Sequence, residues 1–364
     1  MNIKILCYAV TLVSSNVLID TDIGVDDALG LLMAFAQANI HAITLTHGNV
    51  KLDTVARNMF TLLHTLDLQS QALGSDLYNK STPRIAVGAS QPLDGPGYDP
   101  MGDDGLGGVT ESHPELVDPF WQTRLNVNRT AHFRANTTSR FIASHLIAAD
   151  EIIHQLKRAS NKSLTIIALG PLTNIALAIR KNPTAVSRVK RIVVMGGAIN
   201  VPGNMNSYAE FNMLVDPLAA DIVFQATLSL PIHVILVPLD VTHSTQLTAD
   251  ALNLHLKPIS QTPLATFSHA ILSREFRSPA HPNQAEMFDP LAVAIALDFV
   301  TPSKAPYLNL RVEHTNSTTL GHCYIDFARS ANVQVVLAIG RASTFPNSFL
   351  VRTFPAPFKK NKSD

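Results

Sequence analysis

The chain has 364 residues and balances 28 basic against 28 acidic side chains, so no global charge steers it to nucleic acid or an anionic membrane. Hydrophobic residues make up 46% of it, enough for one large α/β domain or two ordinary ones. Its two cysteines, Cys7 and Cys323, exclude a disulfide scaffold and a thiolate zinc site, and no apolar run is long enough to span a membrane.

Met1 to Ser15 reads in two ways. Lys4, the apolar run Ile5 to Val13 and the small residues Ser14-Ser15 fit a signal peptide over residues 1–15. The same residues fit a strand running into Val17. Six Asn-x-Ser/Thr sequons, at Asn79, Asn128, Asn136, Asn161, Asn316 and Asn361, favour a secreted glycoprotein over the cytoplasmic alternative.

Val17-Leu18-Ile19 is a strand, and the chain then places Asp20, Asp22, Asp26 and Asp27 around Gly24 before the apolar helix Ala28 to Ala36. Asp26 or Asp27 alone could cap that helix, and Asp20 could be a turn residue. Four like charges at the end of a buried strand instead call for a cation, and oxygen-only ligands suit calcium or magnesium.

A second strand, Ile40 to Thr46, ends at His47-Gly48-Asn49 and leads to a helix carrying Val55, Met59, Leu62 and Leu63. This rhythm predicts a parallel sheet, whose ligands bind beyond the carboxyl ends of the strands. Ile85-Ala86-Val87 is a third strand. Pro92 to Gly108 is a loop, either a lid or a solvated connection, and residues 111–140 read as an insertion. Ser139 to Arg158 predicts an amphipathic helix. Leu164 to Leu169 is a buried strand, turned by Gly170-Pro171-Leu172-Thr173-Asn174 into the helix Ile175 to Arg180. Arg191 to Met195 is another strand, closing at Gly196-Gly197 and followed by a loop with Asn204, Asn206, Glu210 and Asn212.

Asp216-Pro217 and Asp289-Pro290 both carry the pattern of an N-cap followed by a first-turn proline. Between them lie a strand, His233 to Leu239, ending at Asp240-Val241-Thr242-His243, and a helical stretch, Thr262 to Phe276. The helix Leu291 to Leu297 follows, then antiparallel strands from Tyr307 to Ile339. With no repeat and no linker, residues 16–350 make one domain.

A DxD at a strand end also occurs in haloacid-dehalogenase-type phosphohydrolases, but Gly24 stands where that pattern wants Thr or Val, and Met195-Gly196-Gly197 lacks its late acidic residue. The stretch Asp20 to Ala28 resembles instead the signature of the inosine-uridine-preferring nucleoside hydrolases. The resemblance continues in order at Gly48-Asn49, Gly170 to Asn174, Met195 to Gly197, Gly203-Asn204 with Ala209 to Asn212, Pro238 to His243 and Asp289 to Ala292. It covers residues 17 to about 330.

The resemblance implies an open, mostly parallel, Rossmann-like sheet with helices on both faces. It implies calcium-dependent cleavage of the N-glycosidic bond of a ribonucleoside to ribose and free base, in a homo-oligomer (dimer or tetramer) with no nucleic-acid or membrane partner. Asp22, Asp27, Asp289 and the main-chain carbonyl of Thr173 match the calcium ligands. Asp22 matches the base that deprotonates the calcium-bound water, and Asp26, Asn49, Met195, Asn204, Glu210, Asn212 and Asp289 match residues around the substrate. An oxocarbenium-like transition state flanked by carboxylates, and a vicinal diol held by amides and acids, suit those residue types. The chain departs from the family at two places: Phe288 and Met101 stand where many members carry His, and neither side chain can donate a proton. Asp103, Tyr98 or His281 could replace them, and a calcium-dependent nucleoside-binding protein with weak turnover is the alternative.

Overall fold

The computed structural model describes residues 15–74, 76, 78, 81–95, 104–124, 140–328 and 330–354. The first fourteen residues, with the signal-peptide reading, lie outside them, as do the sequons at Asn79, Asn128, Asn136 and Asn361.

Among the described residues, nine strands form one sheet. In chain order they are β1 (Asn16–Thr21), β2 (Asn39–Leu45), β3 (Arg84–Val87), β4 (Ile142–Ala143), β5 (Thr165–Ala168), β6 (Arg191–Met195), β7 (Val234–Val237), Tyr307–Leu308 and Val333–Val335. In space the order is Tyr307–Leu308, Val333–Val335, β7, β6, β5, β1, β2, β3, β4. Every neighbouring pair is parallel except the first. Ile166-Ile167 and Ile192-Val193-Val194 are wholly buried, as strands covered on both faces require. This is the Rossmann-like sheet expected from the sequence.

The chain order reverses at β1, which has β2 on one side and β5 on the other. Connections leaving these two strands diverge, and the crevice between them is where a parallel sheet accepts a ligand.

Helices cover both faces. One carries α1 (Val25–Gln37), α2 (Leu52–Leu73) and the helices Pro263–Leu272, Phe288–Ala296 and Phe345–Thr353. The other carries Ala148–Arg158, Thr173–Lys181 and Pro217–Ala226. Helix α1 is buried from Asp27 to Ala36 and packs against Phe288–Ala296. Each of its leucines contributes about 1.5–3 kcal/mol by leaving water. Gly30 sets the depth of that crossing: a Cβ there would lie 3.3 Å from Val293 Cγ2 and 3.4 Å from Asp289. The missing side chain thus brings Asp289 up to the acidic loop.

Several local expectations change. The helix expected from Ser139 begins only at Ala148, because Ile142 and Ala143 pair with Arg84 and Ile85 and Ser144 Oγ accepts the Leu146 amide in a tight turn. Pro183 does not merely end a helix; Asn182 caps a new turn, Pro183–Val186. Leu239 to Thr242 is a helical turn after a shorter strand, so His243 sits at a helix end. The described end of the glycine-rich loop is tightly built. Asp104 accepts bonds from the amides of Leu106, Gly108 and Thr110 and from Thr110 Oγ1, and Leu106 is buried.

Candidate active site

The loop leaving β1 holds its four acids in four different ways. Asp20 Oδ1 accepts from Thr44 Oγ1 and, at 2.9 Å, from Asn174 Nδ2. Asn174 Nδ2 also donates to the Leu45 carbonyl and its Oδ1 accepts the Ala89 amide, so one buried amide ties β1, β2 and the turn after β5 together. Asp22 Oδ2 accepts the Asn49 amide at 2.6 Å, while its Oδ1 is buried without a partner. Asp27 Oδ1 accepts from Thr21 Oγ1 at 2.5 Å, and its Oδ2 accepts from the Gly24 amide and Asn49 Nδ2. Asp26, half-buried, opens onto the crevice.

Glycines make room for this arrangement. A Cβ at Gly48 would run into Asp22 Oδ2, one at Gly170 would lie 2.6 Å from Asp22 Oδ1, and one at Gly24 would lie 2.5 Å from Asn49 Nδ2. The ends of β1, β2 and β5 thus meet around a single carboxylate.

The loop after β6 supplies the opposite wall. Glu210 caps the helix Phe211–Val215, accepting the Asn212 and Met213 amides as well as the Gly197 amide at 2.9 Å. Asn212 Nδ2 donates to the carbonyls of Leu169 and Met195, which leaves its Oδ1 facing the crevice as an acceptor. Asn204 Oδ1 accepts the Phe211 amide, which leaves its Nδ2 as a donor. The two amides therefore present opposite polarity.

The two Asp-Pro pairs, alike in sequence, differ in structure. Asp216 caps its helix through the Ala219 amide, and it also accepts the Leu93 amide and, at 2.6 Å, Thr173 Oγ1. A carboxylate only accepts, so the Thr173 hydroxyl spends its hydrogen there and takes a second bond, 3.1 Å long, from His47 Nε2. Burial holds His47 neutral, lowering it to about 4. Asp289 caps nothing: its helix starts at Phe288 with Met287 at the cap position, and Asp289 Oδ1 is buried without a partner.

Asp26, Asp27, Asn49, Met195, Asn204, Glu210, Asn212 and Asp289 line one cavity of about 90 Å³, together with Leu169, Phe211 and Phe288. Asp22, bonded to the Asn49 amide, and Thr173, the first residue of the helix after β5, are not among the residues that line it. Leu169 and Phe211 escaped the sequence reading because an apolar residue at a strand or helix end looks like core. Burial pushes every acid of the cluster upward, Asp26 to about 8 and Asp20 to about 7, and repulsion from neighbouring carboxylates adds to it at Asp20, Asp22, Asp26 and Asp289. Oxygens of Asp26, Asp27 and Asp289 lie within 4.8 Å of one another, a spacing compatible with ligand oxygens at about 2.4 Å from a calcium ion. Asp22, expected from the sequence as a ligand, is not one of these three, and Asp26 stands in its place; Asp22 Oδ1 and Asp289 Oδ1 are both buried without a partner.

A second cavity of about 320 Å³ adjoins the first and shares Asp26, Asn49 and Phe288 with it. Val25, Leu272, Ala285, Gly105 and Gly107 give it apolar walls, and Arg274, Glu275 and Glu286 stand among its lining. A Cβ at Gly107, where φ is +67°, would run into the Ile271 carbonyl, so glycine lets the loop close onto the helix that carries Leu272. Glu286 accepts a 3.0 Å bond from His243 Nδ1, and the His243 ring meets Phe288 edge-on at 6.1 Å. His281 is exposed, and Tyr98, Met101 and Asp103 lie outside the described residues.

Comparison with known proteins agrees with this geometry. The family model described as inosine-uridine preferring nucleoside hydrolase matches residues 17–345. The non-specific ribonucleoside hydrolase RihC of Salmonella paratyphi C is 30% identical over 334 residues, covering 90% of this chain and 94% of the relative. The solved purine-preferring ribonucleoside hydrolase of Gardnerella vaginalis superposes with a TM-score of 0.71 at 25% identity, covering 93% of this chain and 98% of that one. A plant nucleoside hydrolase superposes at 0.72 with 23% identity over 94% and 99% of the two chains, a likeness of fold. With the crevice, its acids and its amides in the family's order, the chain belongs to the inosine-uridine-preferring nucleoside hydrolases, enzymes that hydrolyse the N-glycosidic bond of ribonucleosides.

Proposed function

We propose that the 90 Å³ cavity holds the ribose of the nucleoside over a calcium ion, and that the 320 Å³ cavity takes the base. Asp22, Asp27, Asp289 and the Thr173 carbonyl would hold the ion; the Thr173 hydroxyl, spent on Asp216 and His47, fixes that residue's orientation. When bound, calcium would neutralise the clustered acids, hold the 2′- and 3′-hydroxyls and make a water easier to deprotonate.

The side chains supply the rest. Asp22 Oδ1 takes the proton from the attacking water, Oδ2 being occupied by the Asn49 amide. Asp26 accepts from a ribose hydroxyl, Asn204 donates through Nδ2 and Asn212 accepts through Oδ1. Asp26, Asp27 and Glu210 surround the sugar with negative charge, which favours the oxocarbenium-like transition state. The polar groups hold the diol while apolar Met195 and Leu169 close the cavity against water.

The observation that carries this reading is the pair of buried, unpartnered oxygens, Asp22 Oδ1 and Asp289 Oδ1. An uncompensated buried carboxylate oxygen costs several kcal/mol unless a cation or proton meets it. Calorimetric titration tests it. The wild-type protein, stripped with a chelator, should bind calcium and regain reducing-sugar release from inosine. Asp289→Ala should do neither, and full activity in that variant would overturn the assignment.

A homo-oligomer and export from the cell remain part of the proposal. Exposed Phe120, Ile142 and Ile147 support the first, to be checked by light scattering. The described sequons Asn161 and Asn316 are exposed, which supports the second, to be checked by glycosidase treatment of protein recovered from the medium.

A further inference from the structure

A nucleobase leaves as a poor anion unless a proton reaches it as the bond breaks, and Phe288, at the junction of the two cavities, has none to give. Among the described residues, the ionisable groups lining the larger cavity are Asp26, Arg274, Glu275 and Glu286. Asp26 also lines the ribose cavity. Arg274 does not release its proton near neutrality. Glu275 is exposed and its charge already bears on Asp26. Glu286 is tied to His243.

We propose that His243, positioned by Glu286, is the group that protonates the departing nucleobase. His243 is held at the end of the turn Leu239–Thr242, and its ring touches two residues that line the base cavity, Phe288 edge-on and Glu286 by hydrogen bond. Because a carboxylate only accepts, Nδ1 carries a hydrogen in either protonation state, and the exchangeable second proton has only Nε2 to occupy. His243 is not itself among the residues lining the base cavity but stands behind Glu286 and Phe288, which are; its Nε2 has no hydrogen-bond partner among the described residues, and the side chain is 43% exposed, so this nitrogen can recover a proton from solvent and would reach a base by a turn of the side chain.

The C1′–N9 bond of a purine nucleoside breaks and its electron pair passes to the base. The proton on Nε2 of the imidazolium bonds to N7, and neutral His243 is recharged from water. Glu286 keeps the ring in one orientation, as a carboxylate does for an imidazole elsewhere in acid–base catalysis. Glu286 is thus a positioning residue. It attracts little notice in the sequence because it lies in a short strand, Gln284–Glu286, with no motif around it.

The test compares inosine with 4-nitrophenyl riboside, whose leaving group departs without a proton. His243→Gln should lower kcat for inosine by about 100-fold and leave the nitrophenyl substrate within about threefold of wild type. Glu286→Gln should lower inosine turnover by about tenfold, again sparing the nitrophenyl compound. Retained nitrophenyl hydrolysis shows in the same sample that the variant is folded and its ribose end assembled. Inosine turnover within about threefold of wild type in His243→Gln would overturn the proposal, and so would equal losses on both substrates. A wild-type enzyme that cleaves only the nitrophenyl compound would overturn it too, while leaving the ribose-end reading intact.

Discussion

The two cavities of the crevice are built by opposite rules. The ribose end, about 90 Å³, is lined from the ends of β1, β2, β5 and β6 and from the start of Phe288–Ala296, and backbone amides and carbonyls fix Glu210, Asn212 and the neighbouring Asp22 in place. The base end, about 320 Å³, is lined by the described part of the glycine-rich loop, the end of Pro263–Leu272 and the segment before Asp289, with charged side chains at its surface. Fixed geometry belongs where a water must meet C1′, since small displacements there cost rate steeply. The base end needs only a slot and a proton, so its residues can change while the chemistry stays.

The largest expected effect would break that division if it failed. Asp22→Asn keeps the bond from the Asn49 amide through its side-chain oxygen but cannot take a proton from water. Reducing-sugar release should fall by about 10³-fold or more, equally for inosine and 4-nitrophenyl riboside, because both substrates need the water. The melting temperature should hold or rise, since one repelling charge leaves the cluster. A loss confined to inosine would assign Asp22 to the base end.

Calcium is expected to stabilise the ribose end. At a free concentration 100 times its Kd it should add about 2.7 kcal/mol, read as a rise in melting temperature of roughly 3–5 °C over the chelated protein. Base-end variants such as His243→Gln should show the same rise, and Asp289→Ala none.

The same contrast explains what the sequence disclosed. Residues of the ribose end recur at strand ends in short runs with glycine, Asp20 to Asp27, Gly48-Asn49, Gly170 to Asn174, because an acid packed against a turning backbone needs glycine beside it. Gly48, Gly170 and Gly24 each do this for Asp22 or Asn49. Parallel strands were legible from apolar runs such as Ile192-Val193-Val194, and the reversal at β1 follows from the order of the strand pairs. Glu286, Leu272 and Arg274 form no local pattern. They converge only through the packing of Pro263–Leu272 and the Gln284–Glu286 strand, which no spacing along the chain encodes. Asp216 shows both sides of this: its cap is legible in the sequence and present in the structure, but its further bonds to Leu93 and Thr173 join segments far apart in sequence.

That second role predicts a cost beyond a lone cap. Asp216→Ala should destabilise the protein by about 2 kcal/mol or more in urea unfolding, since the Thr173 hydroxyl and the Leu93 amide lose their acceptor along with the cap. Calcium affinity should weaken as well, because Thr173 loses the bond that orients it. A loss near 1 kcal/mol with unchanged affinity would reduce Asp216 to an ordinary cap.

The smallest effect is also the sharpest division of the two ends. Leu272 lines only the base cavity and is fully buried. Leu272→Ala removes apolar surface from the slot but no group that touches ribose or its acids. Losing part of that contact should raise KM for inosine by roughly tenfold, equivalent to about 1.4 kcal/mol. Free ribose, tested as an inhibitor, should keep its wild-type affinity, because it reaches only the smaller cavity. Calcium binding should also be unchanged. If ribose affinity falls along with that of inosine, the two cavities are mechanically coupled through the loop that closes on Ile271 by way of Gly107, and the base end helps to shape the ribose end.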